Sequence, residues 1–226
     1  MKRIIITGSN GTIGTTLKSG LKNVEITNLD LPEFDLRKTE GLWELFAGNE
    51  IVIHLAWNSE KENYRTESID TENIQMAFNV YQAALRAKIT RVIMASSTHA
   101  DNFHLGRKEG ELISPLRLPS PKSPYGASKT MIEALGRYYT QKGLEVVCIR
   151  FGGVRINNIP RDADTARRFL TQDDCCSLIQ ACIDSQNVPE NYSIVYGVSK
   201  NTGAVHDTSN PFGWEPKEDA TKLIKK

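Results

Sequence analysis

The sequence is poor in cysteine and contains no CxxC pair. Its four cysteines, in a chain of 226 residues, are Cys148, Cys175, Cys176 and Cys182. Without a secretion signal, so few cysteines in a chain of this length do not indicate a disulfide framework. We therefore interpret them as reduced, mostly buried small apolar residues, and a thiol catalyst is the weaker alternative.

Long hydrophobic runs are also lacking. No stretch approaches the roughly 20 apolar residues that span a bilayer, and the apolar run at residues 4–6 is too short for a signal peptide. The net charge is only +1, with basic and acidic residues interspersed, so no footprint for nucleic acid or an anionic membrane stands out. We expect a cytoplasmic protein that binds neither nucleic acid nor membrane.

The sequence does contain short apolar, β-branched runs that alternate with longer helical patterns. The runs lie at residues 3–7, 24–29, 51–56, 91–96, 145–150 and 192–197. Continuous apolar strands separated by helices are typical of a parallel sheet that is buried on both faces. Right-handed crossovers place the helices on both sides of such a sheet, so the sequence predicts a doubly wound α/β fold.

No internal repeat or linker divides the chain, so we expect one domain over residues 1–226. The least regular stretches, residues 100–124 and 152–166, both follow predicted strands. Loops after strands line the ligand crevice of an open α/β sheet, so both stretches are candidates for substrate contact. A plain surface-loop interpretation is about as good for any single residue there.

The first strand leads directly into "TGSNGTIG", which contains Gly8, Gly11 and Gly14, with a helix predicted from about Thr12. Glycines allow the backbone to turn tightly and approach a pyrophosphate, and the helix N-terminus offers free N–H groups. Asp30 follows the second strand, 22 residues after Gly8, close to the roughly 20 expected for a ribose-binding acid. Its charge would repel a 2′-phosphate, which favours NAD over NADP. The alternative is that Asp30 only caps a turn before Pro32.

Tyr125 and Lys129 are four residues apart at the start of a predicted amphipathic helix, and therefore on one face. Such pairs also arise by chance. A cation one turn away would stabilise a phenolate and move the tyrosine pKa from about 10 toward neutrality. Pro124 suits the first turn of this helix.

The pair Tyr125 and Lys129 belongs to a set of motifs that occur in a fixed order along the chain. They are "TGSNGTIG", "DL" at 35–36, "HLAW" at 54–57, Asn73, "ASSTH" at 95–99, "YGASK" at 125–129 and "RFGGV" at 150–154. The set resembles the extended short-chain dehydrogenases/reductases, also called NAD-dependent epimerase/dehydratases. The resemblance implies a Rossmann-type core at residues 1–150 and a substrate-side part at 151–226. It also implies that Tyr125 is the general acid/base, assisted by Lys129. Ser97, at the end of that family's fifth strand, would bind the substrate oxygen.

The same resemblance implies the cofactor contacts. Asp35 matches the acid that meets the adenine amino group, with Leu36 packed nearby, and Leu55 and Ala56 follow the family's fourth strand. The full set is Gly8, Asn10, Gly11, Thr12, Ile13, Gly14, Asp30, Asp35, Leu36, Leu55, Ala56, Tyr125 and Lys129. His54 is expected in the core or at a strand end. His99, His104 and His206 show no ligand spacing, so no metal is expected.

Residues near Ser97 narrow the subclass. Sugar-nucleotide dehydratases of this family carry Asp-Glu where Thr98 and His99 stand, so dehydration is not expected. Sugar-nucleotide 4-epimerases carry a larger C-terminal region, so a small substrate is favoured. "ASSTHA", "TQDDCCSLIQACI" and "FGWEPKEDA" resemble the hexuronate dehydrogenases, which oxidise an aldohexuronate at C1 to the lactone. The resemblance implies sugar contacts by Ser59, Thr98 and His99. A carboxylate-binding arginine is expected among Arg155, Arg161 and Arg167, and we choose Arg161.

Two residues depart from this group, which has Asn in place of Thr98 and Ser in place of Gly153. An arginine fork suits carboxylate and phosphate almost equally, so a sugar-phosphate dehydrogenase is an alternative, as is an epimerase. A non-catalytic NAD-binding regulator ranks lower, because such proteins lose the tyrosine or lysine. The helices at 73–87 and after Tyr125 form the homodimer interface of many relatives, so a homodimer is expected.

Overall fold

The computed structural model describes residues 1–101, 108 and 110–224. Within them, six strands form one parallel sheet in the order β2-β1-β3-β4-β5-β6. The strands are β1 Lys2–Thr7, β2 Val24–Leu29, β3 Ile51–His54, β4 Arg91–Ser97, β5 Glu145–Phe151 and β6 Tyr192–Gly197. Each apolar run in the sequence forms one of these strands, so the predicted doubly wound parallel sheet is confirmed.

Helices cover both faces of the sheet. They are α1 Thr12–Gly20, α2 Leu42–Phe46, α3 Thr71–Arg86, α4 Pro124–Thr140, α5 Ala163–Ala166 and α6 Gln172–Asp184. α3 packs against α4 on one face, and α1 packs against α6 on the other. The N-terminus of α3 is capped by Asp70, whose side chain accepts a hydrogen bond from the Glu72 N–H, as a good N-cap residue does.

Successive residues of the central strands are buried in opposite layers of the core. Ile5, Val52 and Val92 pack beneath α3 and α4, whereas Ile6 and Ile53 pack beneath α1 and α6. Both faces therefore need apolar side chains, which is why these strands read as continuous rather than alternating hydrophobic runs.

The sheet order reverses beside β1, because β2 lies on one side of it and β3 on the other. At such a switch point the loops after the strands separate and leave a crevice at their carboxyl ends. The chain leaves β1 at Gly8 and leaves β3 at Leu55, so these two segments form the walls of the crevice.

The strand numbers carried over from the family are wrong for this chain. Residues 31–50 contain turns and α2 but no strand, so Ser97 ends the fourth strand rather than the fifth. For the same reason Leu55 and Ala56 follow the third strand.

The four cysteines form no disulfide, and only Cys176 is partly exposed. Within the described residues, no helix combines the length and apolar composition that crossing a bilayer requires. His104 lies outside the described residues.

Candidate active site

The glycine-rich turn packs so closely on its surroundings that larger residues would collide. Gly8 has φ of 68°, and a Cβ there would lie 2.6 Å from the backbone nitrogen of Ala56. A Cβ on Gly14 would lie 2.6 Å from the Cα of Ser9. Real side chains do not tolerate such contacts. Gly8 therefore lets the turn pack on the chain that leaves β3, and Gly14 lets α1 pack on the turn.

The N-terminus of α1 opens into the crevice. Gly11 is its N-cap residue and supplies no capping side chain, while its own N–H bonds to the Gly8 carbonyl at 3.1 Å. The N–H groups of Thr12, Ile13 and Gly14 belong to the first turn, where no intrahelical acceptor exists, and these residues line the crevice. With the helix dipole they form an arrangement suited to a pyrophosphate.

A cleft of about 340 Å³ extends from this turn along the ends of β2 and β3. Asp30 lies in its wall, and its carboxylate accepts hydrogen bonds from the backbone N–H of Asn10 (2.6 Å) and Leu31 (2.8 Å). The cleft is lined by Gly8, Gly11, Asp30, Asp35, Leu36, Leu55 and Ala56 among the predicted cofactor contacts. Asn10 is exposed and lines neither this cleft nor the one described below.

The Asp35 carboxylate is held by the Arg37 guanidinium through two hydrogen bonds of 2.8 Å. These bonds lower the pKa of Asp35 to about 2. Asp35 therefore keeps its charge and orientation at the cleft, where an adenine amino group could donate to it.

A second cleft, of about 450 Å³, continues from the glycine turn and is lined by Ser97, Tyr125 and Lys129. α4 begins at Pro124, after Ser123, whose hydroxyl accepts a hydrogen bond from the Gly126 N–H at 3.1 Å. Pro124 lies in the first turn, as expected. Tyr125 and Lys129 therefore enter the cleft one helical turn apart.

Lys129 is buried in the wall of this cleft. Its ammonium group donates a hydrogen bond to the Ala95 carbonyl at 2.9 Å and lies 3.4 Å from the centre of the Trp57 ring. Burial lowers the pKa of Lys129 to about 7, against the opposing attraction of Glu62 and Glu133. The lysine is thus poised between charged and neutral forms near neutral pH.

The expectation that Lys129 lowers the Tyr125 pKa is not met in this arrangement. Burial raises the pKa of Tyr125, the hydrogen bond with Ser97 lowers it, and the Glu62 charge raises it further. The Lys129 ammonium lies 5.7 Å from the centre of the Tyr125 ring and is directed to the Ala95 carbonyl. Desolvation of the phenolate therefore outweighs the stabilising contact, which comes from Ser97.

Ser97 also fills the role of a strand-end hydroxyl, because its oxygen accepts a hydrogen bond from the His99 N–H at 3.2 Å. This bond fixes the side chain at the end of β4, while the hydroxyl hydrogen is donated to Tyr125. Both roles considered from the sequence are therefore compatible.

The predicted sugar contacts Ser59, Thr98 and His99 line the same cleft. Arg161 does not line it directly, and its guanidinium donates to the Tyr64 hydroxyl at 3.4 Å. Tyr64 lines the cleft and stacks on His99, with ring centres 4.7 Å apart and planes 3° from parallel. Arg161 is therefore placed at the rim, behind an aromatic pair.

Sequence reasoning missed several lining residues. Trp57, Asn63 and Tyr64 come from the loop at residues 57–70, Phe151 ends β5, and Val154 follows it. Of these five residues, Val154 lies within the stretch 152–166 that the sequence indicates for substrate contact, and Phe151 directly precedes it.

Arg168 was not among the three arginines considered. Burial and then Arg168 lower the pKa of His99 to about 4, so this arginine acts on a side chain in the cleft.

The remaining predicted features concern histidine and metals. His54 ends β3, is buried, and its Nδ1 lies 2.7 Å from the Thr7 hydroxyl oxygen, which agrees with a strand-end role. In the part of the chain that the structure describes, no three His, Cys, Asp or Glu side chains group as metal ligands.

Comparison with known proteins agrees with this geometry. Residues 4–173 match the model of the NAD dependent epimerase/dehydratase family. The chain is 28% identical to the L-arabinose 1-dehydrogenase (NAD(P)(+)) of Haloferax volcanii, over 99% of this chain and 100% of that protein. It is also 28% identical to a uronate dehydrogenase of Pseudomonas syringae pv. tomato, over 96% of this chain and 82% of that one. The uronate dehydrogenase structure from Agrobacterium tumefaciens has the same fold, with a TM-score of 0.80, 24% identity and coverage of 98% and 86%.

The matched segment contains the glycine turn, the end of β4 and the Tyr125–Lys129 turn of α4, in the order predicted. The glycine cradle and open helix N-terminus fit a dinucleotide pyrophosphate. The resemblance inferred from the sequence is confirmed: the chain belongs to the NAD dependent epimerase/dehydratase family, and its cofactor is NAD.

Proposed function

We propose that this protein is an NAD-dependent sugar dehydrogenase that oxidises an aldohexuronate at C1 to its lactone. One observation carries the proposal: Ser97, Tyr125 and Lys129 line the same cleft as the glycine turn. The place where a dinucleotide would bind and the acid/base group therefore share one cleft, as dehydrogenation requires.

Bound NAD supplies the nicotinamide carbon that accepts a hydride. Tyr125 takes the proton of the C1 hydroxyl, the C1–H electron pair leaves as hydride, and the oxygen forms a double bond to C1. Ser97 donates a hydrogen bond to that oxygen and keeps it beside Tyr125. Before the sugar binds, the same hydroxyl hydrogen is donated to Tyr125, which opposes the rise in the Tyr125 pKa that burial causes.

Lys129 lines the cleft with its ammonium group 5.7 Å from the centre of the Tyr125 ring and directed to the Ala95 carbonyl. In the proposed mechanism this ammonium group would donate to a ribose hydroxyl of the bound cofactor, and its charge there would favour the phenolate of Tyr125. Because the pKa of Lys129 is about 7, a modest change in its surroundings alters the fraction that is charged at neutral pH.

The sugar class is supported by the relatives and by the cleft. The relatives are named for oxidation of L-arabinose and of uronates, so they share an aldose substrate and differ in its carboxylate. Ser59, Thr98 and His99 offer polar groups for sugar hydroxyls. Residues 151–154 line the cleft as well, which agrees with a substrate-side role for residues 151–226.

The carboxylate of a uronate substrate would be bound best by an arginine, and two arginines lie near the mouth of the cleft. Arg161 bonds to Tyr64, and Arg168 acts on His99. A phosphate would suit the same guanidinium groups, so a sugar-phosphate dehydrogenase is the second candidate. An epimerase or a non-catalytic regulator ranks lower.

The test is NADH formation, followed by absorbance, with glucuronate, galacturonate, glucose 6-phosphate, L-arabinose and glucose. Turnover that is fastest with a uronate supports the proposal. Turnover with the phosphate alone keeps the chemistry and replaces the substrate. No turnover with any sugar, while NAD still binds, would contradict a dehydrogenase function for this cleft.

A further inference from the structure

Glu62 is a buried carboxylic acid within an otherwise polar and largely exposed loop. Its side chain is 0% exposed, whereas Glu60, Lys61 and Glu67 in the same loop are exposed. Placing a carboxyl group in the interior is costly unless its bonds and charge are matched. The hydrogen bonds and charges around Glu62 therefore indicate its role.

Three donors converge on the Glu62 side chain. Oε1 accepts a hydrogen bond from the Ser128 hydroxyl at 2.5 Å. Oε2 accepts from the Asn73 amide at 3.0 Å and from the Asp70 N–H at 3.2 Å. Both oxygens therefore have hydrogen-bond partners, which offsets the cost of burying this carboxyl group.

The charge of Glu62 has no direct ion-pair partner. Among the described residues, no lysine, arginine or histidine nitrogen lies within 4.0 Å of its oxygens. Glu133, the other buried carboxylate beside α4, is held instead by Arg150 through two bonds of 2.8 Å. Lys129, buried and next in sequence to Ser128, is the cation that Glu62 attracts.

The same loop also covers Lys129. The Trp57 indole N–H donates to the Glu62 main-chain carbonyl at 3.2 Å, and the Trp57 ring faces the Lys129 ammonium. Glu62 therefore connects to the lysine by its charge, by Ser128 and by the position of Trp57.

We propose that Glu62 is a positioning residue whose buried negative charge keeps the Lys129 side chain as an ammonium ion in the catalytic cleft. The inference rests on the proposed function only for what that ammonium does for Tyr125. Its charge effect on Lys129 is separate and can be measured without turnover.

Four groups face Lys129 and must be considered together. Glu62, from the loop, and Glu133, from α4, both favour the ammonium form, but Arg150 engages Glu133. His54, from β3, is kept neutral because burial lowers its pKa to about 3. Tyr125, from α4, is the partner in titration, and the Glu62 charge raises the pKa of both members of this pair.

Glu62→Gln removes the charge and keeps the size. The pKa of Lys129 should then fall below about 7, because burial is opposed less. A fall of one unit makes the ammonium fraction about tenfold smaller well above the pKa. In kcat against pH, the rising limb of the Tyr125–Lys129 pair should move to lower pH and the plateau should fall.

Three variants separate charge from structure. Ser128→Ala removes a hydrogen bond and keeps the charge, so the pKa of Lys129 should stay within a few tenths of a unit of wild type. Glu67→Gln removes an exposed charge from the same loop and should change nothing. Glu62→Gln combined with Asn73→Asp exchanges amide and carboxylate and should restore the wild-type pKa.

The direct measurement is the pKa of the Lys129 side-chain nitrogen by NMR on protein labelled with ¹⁵N-lysine. Lys129→Arg assigns the signal. A lower pKa in Glu62→Gln, restored by the exchange, supports the proposal. An unchanged pKa, or an equal shift in Ser128→Ala, would overturn it.

Separate controls distinguish a variant that fails to fold from a failure of the proposed function. If Glu62→Gln does not fold, Glu62→Gln combined with Ser128→Ala replaces it, since this pair removes the carboxylate and one of its donors together; the Lys129 pKa should again fall, and no change would reject the proposal. If the pKa shifts as expected while no sugar is oxidised by wild type, the proposed function fails and the role of Glu62 stands. If the wild-type protein oxidises a sugar and the Lys129 pKa is the same in Glu62→Gln, the proposed function stands and the proposed role of Glu62 fails.

Discussion

Gly126 lies directly against the main chain of His99, and a Cβ on Gly126 would be 2.1 Å from the His99 carbonyl oxygen. This contact presses the first turn of α4 onto the segment after β4. Tyr125 and Ser97 come together because both flank it. One missing methyl group therefore sets the distance between the acid/base and its hydrogen-bond partner.

We expect Gly126→Ala to impair the site more than the fold. The added Cβ must push α4 away from His99, at a cost of roughly 1–3 kcal/mol in the free energy of unfolding. Because Tyr125 moves with the helix, kcat should fall by about 10²-fold or more. Chemical unfolding and steady-state kinetics measure the two effects. Gly136→Ala in the same helix is the matched control, since its Cβ would lie 2.7 Å from the Tyr81 hydroxyl in the core and not at the cleft, and an equal kinetic loss there would contradict the interpretation.

Tyr125→Phe should nearly abolish turnover while NAD still binds. Removal of the hydroxyl deletes the proton acceptor, and general acid–base catalysis contributes about 10²–10⁴-fold. Stopped-flow or steady-state NADH absorbance gives the rate, and calorimetry gives the NAD affinity. Tyr138→Phe, on an exposed part of the same helix, should behave as wild type. Full activity in Tyr125→Phe would show that another group takes the proton.

Asp30 should set the preference for NAD over NADP. Its carboxylate is fixed by the Asn10 and Leu31 N–H groups at the cofactor cleft, where it would repel a 2′-phosphate. Asp30→Ser should weaken NAD binding and reduce or reverse the ratio of the two dissociation constants. Glu33→Gln, an exposed neighbour, should leave the ratio unchanged. Tighter binding of NADP by the wild-type protein would refute this assignment.

Arg161 and Arg168 should affect uronates and neutral sugars differently. If one of them binds the carboxylate, its replacement by Met should raise KM for glucuronate by about tenfold or more, since a charge-assisted bond contributes about 1.5–3 kcal/mol. KM for L-arabinose or glucose should change little. Arg155→Met serves as the comparison. Equal changes for charged and neutral sugars would indicate a structural role.

A homodimer through α3 and α4 is the expectation for the exposed side of these helices. Phe78, Leu85, Met131 and Tyr138 remain 36–50% exposed there, while the opposite sides pack in the core. Met131→Glu should shift the mass in light scattering from dimer to monomer, because it places a charge in an apolar contact. Leu116→Glu, at an exposed leucine outside both helices, should not. A wild-type monomer would exclude the dimer.

The sheet and the shared helix face of Tyr125 and Lys129 could be predicted from the sequence because each depends on local pattern. Buried parallel strands need continuous apolar runs, and Tyr125 and Lys129 share a face wherever a helix forms. The roles of Gly8 and Gly14 follow from their place between a strand and a helix.

Other features depend on contacts between distant segments, which no local pattern reveals. Glu62 lies in a stretch that reads as a solvated loop, yet Ser128, 66 residues away, accounts for its burial. Arg168 was passed over because the sequence does not show which of several arginines faces His99. The direction of the Tyr125 pKa was misjudged because burial outweighs a neighbouring cation that points elsewhere.

The loop at residues 57–70 has an evolutionary consequence. It borders the cofactor cleft through Trp57, supports Lys129 through Glu62 and shapes the sugar rim through Tyr64. A mutation that adapts this loop to a new sugar therefore also acts on proton transfer and on cofactor fit. Selection can vary the sugar more independently through residues 152–168, so we expect divergence among relatives to concentrate there first.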